Sequence, residues 1–258
     1  MGHKLFKGLR LLWLSFFGRS EQVRYESAHE LLSAIAIRFQ MRLYAGSLSW
    51  PADADFLKHW ADYPERKSDI IHERKFNLFN IARGLRHIPG DIVECGVFHA
   101  ASSFLMLSAS EGTGKRLHGF DSFEGLSKPE ETDIVTRERT FKWKENDLSV
   151  PENVAAKNLK KFDGQFSLYK GWIPERFHEI GEKTFSLVHI DVDLFAPTMD
   201  SLEYFWPRLS PGGMIVCDDY GFETCPGARK AMDDFFQKHN QPVIHLTTGQ
   251  GIVIRPIP

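Results

Sequence analysis

The stretch that decides the fold is LVHIDVDLFAPTMDSLEYFWPRLSPGGMIVCDDYG, residues 187–221. An apolar run stops at Asp191 and Asp193. A helical stretch over 196–210 follows, and then a Pro-Gly-Gly turn. A second apolar run ends on Asp218 and Asp219. Two short apolar runs joined through a helix read as a strand–helix–strand unit with parallel strands. Both strands end in acid. Crowded carboxylates repel one another and are costly to desolvate. A cation, a substrate hydroxyl or exposure at the strand ends must offset that cost.

The same alternation continues outward. Strand patterns occupy 91–97 (DIVECGV), 116–123 (RLHGFDSF) and 165–171 (QFSLYKG). Helical patterns occupy 100–112, 150–162, 173–181 and 225–240. Residues 242–248 and 251–256, joined by a Gly-Gln pair, read as a terminal hairpin. Upstream, Ile70, Ile71, Phe76, Leu78, Phe79, Ile81 and Leu85 give a helix over 69–87 that Pro89 and Gly90 end. The expected fold is α/β: a doubly wound, mostly parallel, Rossmann-like sheet of seven strands with an antiparallel C-terminal hairpin, over 69–258. Residues 1–68 form a helical extension, broken at 46–55. The charged stretch at 122–149 is too long for a plain connection and reads as a lid or binding loop.

Composition excludes several classes. A chain of 258 residues with a formal charge of −2 has no basic field for nucleic acid. No run reaches the roughly 20 apolar residues that span a bilayer. Cys95, Cys217 and Cys225 are odd in number and lack CxxC spacing, so they read as reduced thiols of a cytoplasmic protein. At the N-terminus, Lys4, Lys7 and Arg10 precede the apolar stretch of KLFKGLRLLWLSFFGRS. That pattern suits an amphipathic helix packed on the domain or on a second subunit of a homo-oligomer. Peripheral contact with anionic lipid is the competing reading.

Ligands of open parallel sheets bind beyond the carboxyl ends of the strands. Acids stand at four of those ends: Glu94, Asp121, the Asp191/Asp193 pair and the Asp218/Asp219 pair. Neither GxGxxG nor GxxxxGK[ST] is present, so a nucleotide phosphate would be poorly served. S-adenosylmethionine, with two ribose hydroxyls, an ammonium, a sulfonium and no phosphate, would be served well. Asp121, with Ser122 beside it, is placed to accept from the ribose diol. Glu94, Gly96, Val97, Phe98 and Ser102 form the cradle for the methionine end, where Gly96 allows close backbone approach. Trp172 either flanks the adenine or packs.

DIVECGVFHAASS, LHGFDSFEGL, the 187–221 stretch and GARKAMDDFF together resemble the macrocin O-methyltransferase family. The resemblance covers roughly 69–240. It implies the class I methyltransferase version of the sheet, and transfer of a methyl group from S-adenosylmethionine to a sugar hydroxyl with magnesium. It also implies that Asp191, Asp218 and Asp219 hold the metal. One departure is that His99, Ala100 and Ala101 stand where a more glycine-rich or basic turn is expected.

The residue types suit that chemistry. Magnesium takes oxygen ligands in octahedral geometry and keeps sites for water or substrate. Three carboxylates leave about three positions, two of which a vicinal diol can fill. Asp191 is expected to touch metal and cofactor and to accept the proton, with His99, Glu124, Glu138, Glu145 and Asp147 as alternative bases. Asp193 reads as a helix cap or a support. His189 and His118 read as packed core histidines. Tyr220 and Phe195 either line the acceptor pocket or pack. Two other readings stay open: a catechol-type phenol as acceptor, and a non-catalytic binding module on the same fold.

Overall fold

The computed structural model describes residues 2–41, 53–65, 72–136 and 142–257. The chain divides into two compact units, 1–57 and 58–258. In the first unit, α1 (Gly2–Phe17) and α2 (Glu21–Ala36) pack on each other. Ser20 starts α2 by accepting from the Val23 N–H at 3.2 Å, a typical N-cap contact. Lys7 and Glu30 pair between the helices at 2.6 Å. Ile70, Ile71 and most of the break expected at 46–55 lie outside the described residues.

The helix α3 (Ala54–Asp62) crosses the division. In the second unit, α4 (His72–Gly84) leads into β1 (Asp91–Cys95), α5 (Ala101–Ala109), β2 (Leu117–Asp121), α6 (Glu152–Asn158) and β3 (Phe166–Lys170). Then come β4 (Phe185–Ile190), α7 (Phe195–Phe205), β5 (Leu209–Cys217), α8 (Pro226–Lys238), β6 (Ile244–His245) and β7 (Gly251–Ile254). The strands form one seven-stranded sheet in the order β3-β2-β1-β4-β5-β7-β6. The first five run parallel, and β7 runs antiparallel to β5 and β6. The expected sheet is therefore present.

From β1 the chain crosses to β2 on one side, and from β4 it crosses to β5 on the other. Right-handed crossovers place α5 and α7 on opposite faces. The order reverses between β1 and β4, which is where ligands of such sheets bind. On the α7–α8 face, Val93, Cys95, Val188, Ile190, Ile215 and Cys217 pack with Leu202, Phe205, Met232 and Phe236. Side chains alternate along a strand, so Glu94, His189 and Val216 project to the α4–α5 face. That alternation sorts the acids beyond the strand ends.

Two local expectations differ. The 173–181 segment is a single 3-10 turn at Phe177–Ile180. The hairpin is not joined by two residues: the Leu246 N–H donates to the Gln250 carbonyl at 2.9 Å, and β6 keeps only two residues. The side chain of Gln250 is fully buried, and holding it there widens the turn. The 122–149 stretch is tied across its base, with Leu126 N–H to Asp147 O at 2.8 Å and Asn146 N–H to Leu126 O at 2.9 Å.

Candidate active site

The carboxyl ends of the central strands open onto one cavity of about 510 Å³, a size suited to a small molecule. On the β2 and β3 side it is lined by Gly96, Phe98, Asp121, Ser122 and Trp172. On the β5 side it is lined by Asp191, Asp193, Asp219, Arg74, Trp143 and Phe222.

The first side is built around one carboxylate. Asp121 Oδ2 accepts from the Val97 and Phe98 N–H groups at 2.7 and 2.9 Å, and Oδ1 accepts from the Phe123 N–H at 2.7 Å. This binds the turn after β1 to the turn after β2. The turn is tight enough that Phe98 and Ala100 adopt φ of 50° and 67°, a left-handed conformation uncommon for residues with a side chain. Gly96 has φ of 85°, and a Cβ there would collide with the Asp191 carbonyl. A carboxylate offers about four lone-pair directions, so Asp121 keeps acceptor capacity for a diol. Ser122 Oγ donates to the Gly125 carbonyl at 2.8 Å. Val97 and Ser102 shape the turn but do not line the cavity: both are buried, and Ser102 Oγ accepts from Lys75 Nζ at 2.9 Å.

Glu94 departs most from expectation. It is 1% exposed and outside the cavity lining. Its carboxylate accepts from the Ser103 hydroxyl and meets His189 Nδ1 at 3.0 Å. Strand alternation turns it into the α4–α5 layer, away from the cavity that the expected methionine cradle would border.

The acids on the other side separate into two groups. Asp191 and Asp218 cluster with His189, whereas Asp219 clusters with Asp193 and Cys225. Asp218 lies two residues past Val216 and Asp219 two past Cys217, so they inherit opposite faces. The expected ligand trio is thus split between two groups, with Asp191 in the Asp218 group. Asp218 is ion-paired with Arg74, whose guanidinium also lies 3.9 Å from Asp191 and 4.7 Å from the centre of the Phe222 ring. Asp219 Oδ2 accepts from the Asp193 N–H at 3.1 Å. Burial pushes the Asp219 carboxyl well above the usual range, and the charges of Asp193 and Asp191 add to it. Burial, and then the charge of Asp191, raises Asp193 to about 7. The acids that line the cavity, Asp191, Asp193 and Asp219, are oxygen donors short of positive charge, as a divalent cation requires, whereas Asp218 lies just outside the lining against Arg74.

Asp193 does not cap α7. It has φ of 60°, and the cap is supplied from the long loop, where Asp133 Oδ1 accepts from the Phe195 N–H at 2.7 Å. The same loop brings Leu126, Trp143 and Leu148 to the cavity wall. Trp143 is steered by a contact from its Nε1 to Cys225 Sγ at 3.4 Å. Of the alternative bases, Glu138 lies outside the described residues. His99 is paired with Glu65, Glu124 with Lys170, and Asp147 accepts from the Lys144 N–H. Neither these three nor Glu145 lines the cavity. His118 and His189 are buried, as expected, and Tyr220 and Phe195 lie outside the lining. Arg74, Trp143 and Gln250 escaped the sequence reading because each reaches the site from another element. Phe222, in the turn after Asp219, was not singled out because an aromatic at a turn carries no signal of the face it takes.

A sheet reversed between β1 and β4, with an acceptor carboxylate after β2 and an acidic rim beyond β4 and β5, defines the class I methyltransferase fold. The chain belongs to the macrocin O-methyltransferase (TylF) family, whose profile matches residues 20–249. It is 34% identical over 179 residues to 8-demethyl-8-(2,3-dimethoxy-alpha-L-rhamnosyl)-tetracenomycin-C 4'-O-methyltransferase of Streptomyces olivaceus, covering 65% of this chain and 66% of that one. It is 28% identical over 159 residues to demethyldecarbamoylnovobiocin O-methyltransferase of Streptomyces niveus, covering 59% and 60%. The chain therefore spans somewhat under two thirds of these relatives. Among solved structures it is similar in fold to the O-methyltransferase NovP, with a TM-score of 0.59 and 22% identity over 72% of this chain and 81% of that one.

Proposed function

We propose that the protein is an S-adenosylmethionine- and magnesium-dependent O-methyltransferase acting on a sugar hydroxyl of a glycan or glycosylated natural product. The carrying observation is the single cavity that joins the Asp121 side to the Asp191–Asp219 rim. S-adenosylmethionine would lie along Gly96, Phe98, Asp121, Ser122 and Trp172 and supply the methyl group. Asp191, Asp218 and Asp219 would hold magnesium, which lowers the pKa of a coordinated hydroxyl. Asp191, the rim acid nearest solvent at 26% side-chain exposure, accepts the proton from the acceptor hydroxyl. Trp143 and Phe222 offer ring faces to the apolar side of a sugar. Holding the acceptor oxygen in line with the methyl group supplies the positioning contribution.

The relative from Streptomyces olivaceus is named for methylating a rhamnosyl hydroxyl of a glycosylated small molecule, which supports a glycosylated small-molecule acceptor here. The vicinal diol is the metal-based part of the reading. Methyl transfer from labelled cofactor to a panel of glycosides and catechols, with and without chelator, is the test. Glycoside turnover lost on chelation is expected. Catechol turnover alone would replace the sugar reading. S-adenosylhomocysteine at 100 times its dissociation constant should stabilise the fold by about 2.7 kcal/mol; no shift in melting would favour a non-catalytic module.

Among the described residues, no helix is long and apolar enough to cross a membrane. The three buried free thiols support a cytoplasmic location. On α1, Phe6, Leu9, Trp13, Phe16 and Phe17 form an exposed apolar stripe, which supports a homo-oligomer contact. Peripheral contact with anionic lipid is the competing outcome, and ultracentrifugation with and without anionic vesicles separates the two.

A further inference from the structure

We infer that Glu94, His189 and Gln250 are positioning residues that fix Asp218 so that only one of its oxygens is offered to the divalent cation. This rests on the metal reading above and deepens it.

The geometry is a buried chain running across the sheet. Glu94 on β1 lies directly opposite His189 on β4, and His189 lies opposite Val216 on β5. All three project to one face, and Asp218, two residues past Val216, follows them. His189 is 0% exposed. Its Nδ1 meets Glu94 Oε1 at 3.0 Å, and its Nε2 lies 3.3 Å from Asp218 Oδ1. Behind Glu94, the Ser103 hydroxyl donates to Oε2. From the other side, Gln250 donates its Nε2–H to the same Asp218 Oδ1 at 2.7 Å. Gln250 is itself oriented, since its Oε1 accepts from Asn77 Nδ2 at 3.0 Å and Thr248 Oγ1 at 3.1 Å.

Gln250 thus holds Oδ1 by a hydrogen bond, with His189 Nε2 packed beside it at 3.3 Å but outside hydrogen-bond geometry, leaving Oδ2 to face a cation. In this structure the group facing Oδ2 is the Arg74 guanidinium. Fully buried ionic groups contribute little net stability compared with apolar residues of the same volume. A chain of them ending on an expected ligand is better explained as orientation of that ligand. Groups behind a metal ligand fix its direction, and losing them typically weakens binding by about 10–100-fold. Glu94, expected to meet the cofactor, is reassigned to the far end of this chain.

The test is Mn²⁺ binding by electron paramagnetic resonance on wild type, Gln250→Leu, His189→Phe, His189→Gln and Glu94→Gln. It is paired with calorimetric titration of S-adenosylhomocysteine without metal. Gln250→Leu and His189→Phe should weaken Mn²⁺ by about 10-fold or more, with the nucleoside affinity unchanged. His189→Gln, which restores a donor toward Asp218, should recover part of the loss. Gln250→Leu changes no charge and serves if His189→Phe fails to fold. Folded variants that bind Mn²⁺ like wild type would overturn the inference alone. So would a Glu94→Gln protein that loses the nucleoside while keeping Mn²⁺, since it would return Glu94 to the cofactor. Wild type that binds no Mn²⁺ would overturn the metal reading together with this one.

Discussion

Asp218 and Asp219 are neighbours in the chain and opposites in environment. Asp218 meets groups that suit a carboxylate, the Arg74 guanidinium and the Gln250 amide N–H, with His189 packed close by. Asp219 sits against Asp193 and Cys225, and Arg74 reaches it only as a charge at longer range. Both are almost fully buried. Asp218 thus has a cation and a donor against it, whereas burial pushes Asp219 toward its neutral form. Two identical residues at the end of one strand can serve different ends, and the alternation of the backbone decides which.

Gly96→Ala should have the largest effect, because the new Cβ meets backbone in a left-handed turn. A loss of about 3 kcal/mol or more in urea unfolding is expected, and a mild effect would mean the turn can move. Asp218→Ala should cost about 3–5 kcal/mol in the metal-free protein, since it strands the Arg74 charge and the Gln250 donor. Asp219→Asn should do the reverse at pH 8, raising metal-free stability by about 1 kcal/mol through relief of repulsion. Equal signs for these two substitutions in the same unfolding experiment would break the contrast between the faces. Asp191→Asn should retain S-adenosylhomocysteine binding while lowering turnover by about 10²–10⁴-fold, the usual contribution of a general base.

The pH dependence sharpens the same contrast. Asp193 is raised to about 7 in the fold, against about 3.9 in an unfolded chain. The folded state therefore binds more protons between those values, and the group's contribution to stability falls as pH rises through that window. Metal-free wild type should lose stability relative to Asp193→Asn from pH 4 to pH 7, by a few kcal/mol at most. Melting curves of the two proteins at matched pH measure it. Asparagine tolerates the left-handed φ of this position, so the comparison isolates the charge.

The sheet was legible because burial on both faces writes a strand as an apolar run and its end as a change to acid or glycine. Residues 187–221 carry two strands and the intervening helix in that form. Asp121 was legible for the same reason, as an acid closing β2. The face that Glu94 takes was not legible, because its place in the sequence, one residue before Cys95, does not fix it; the structure turns it away from the cavity lining. The cap on α7 was assigned to nearby Asp193 when it comes from Asp133, some sixty residues earlier in the chain. Loop 122–149 was recognisable as a functional loop by its length, but not the placement of Trp143 on Cys225.

The sequence by itself determined the strand order's ingredients, the acidic rim and the family, because local periodicity and strand-end chemistry are properties of short stretches. The tertiary structure alone decided how that rim divides, which oxygen of Asp218 is free, and that Arg74, Trp143, Phe222 and Gln250 complete the site. Those outcomes depend on side chains from separate elements meeting across a face, 32 residues from Asp218 for Gln250 and 144 for Arg74, and chain separation carries no record of that distance in space.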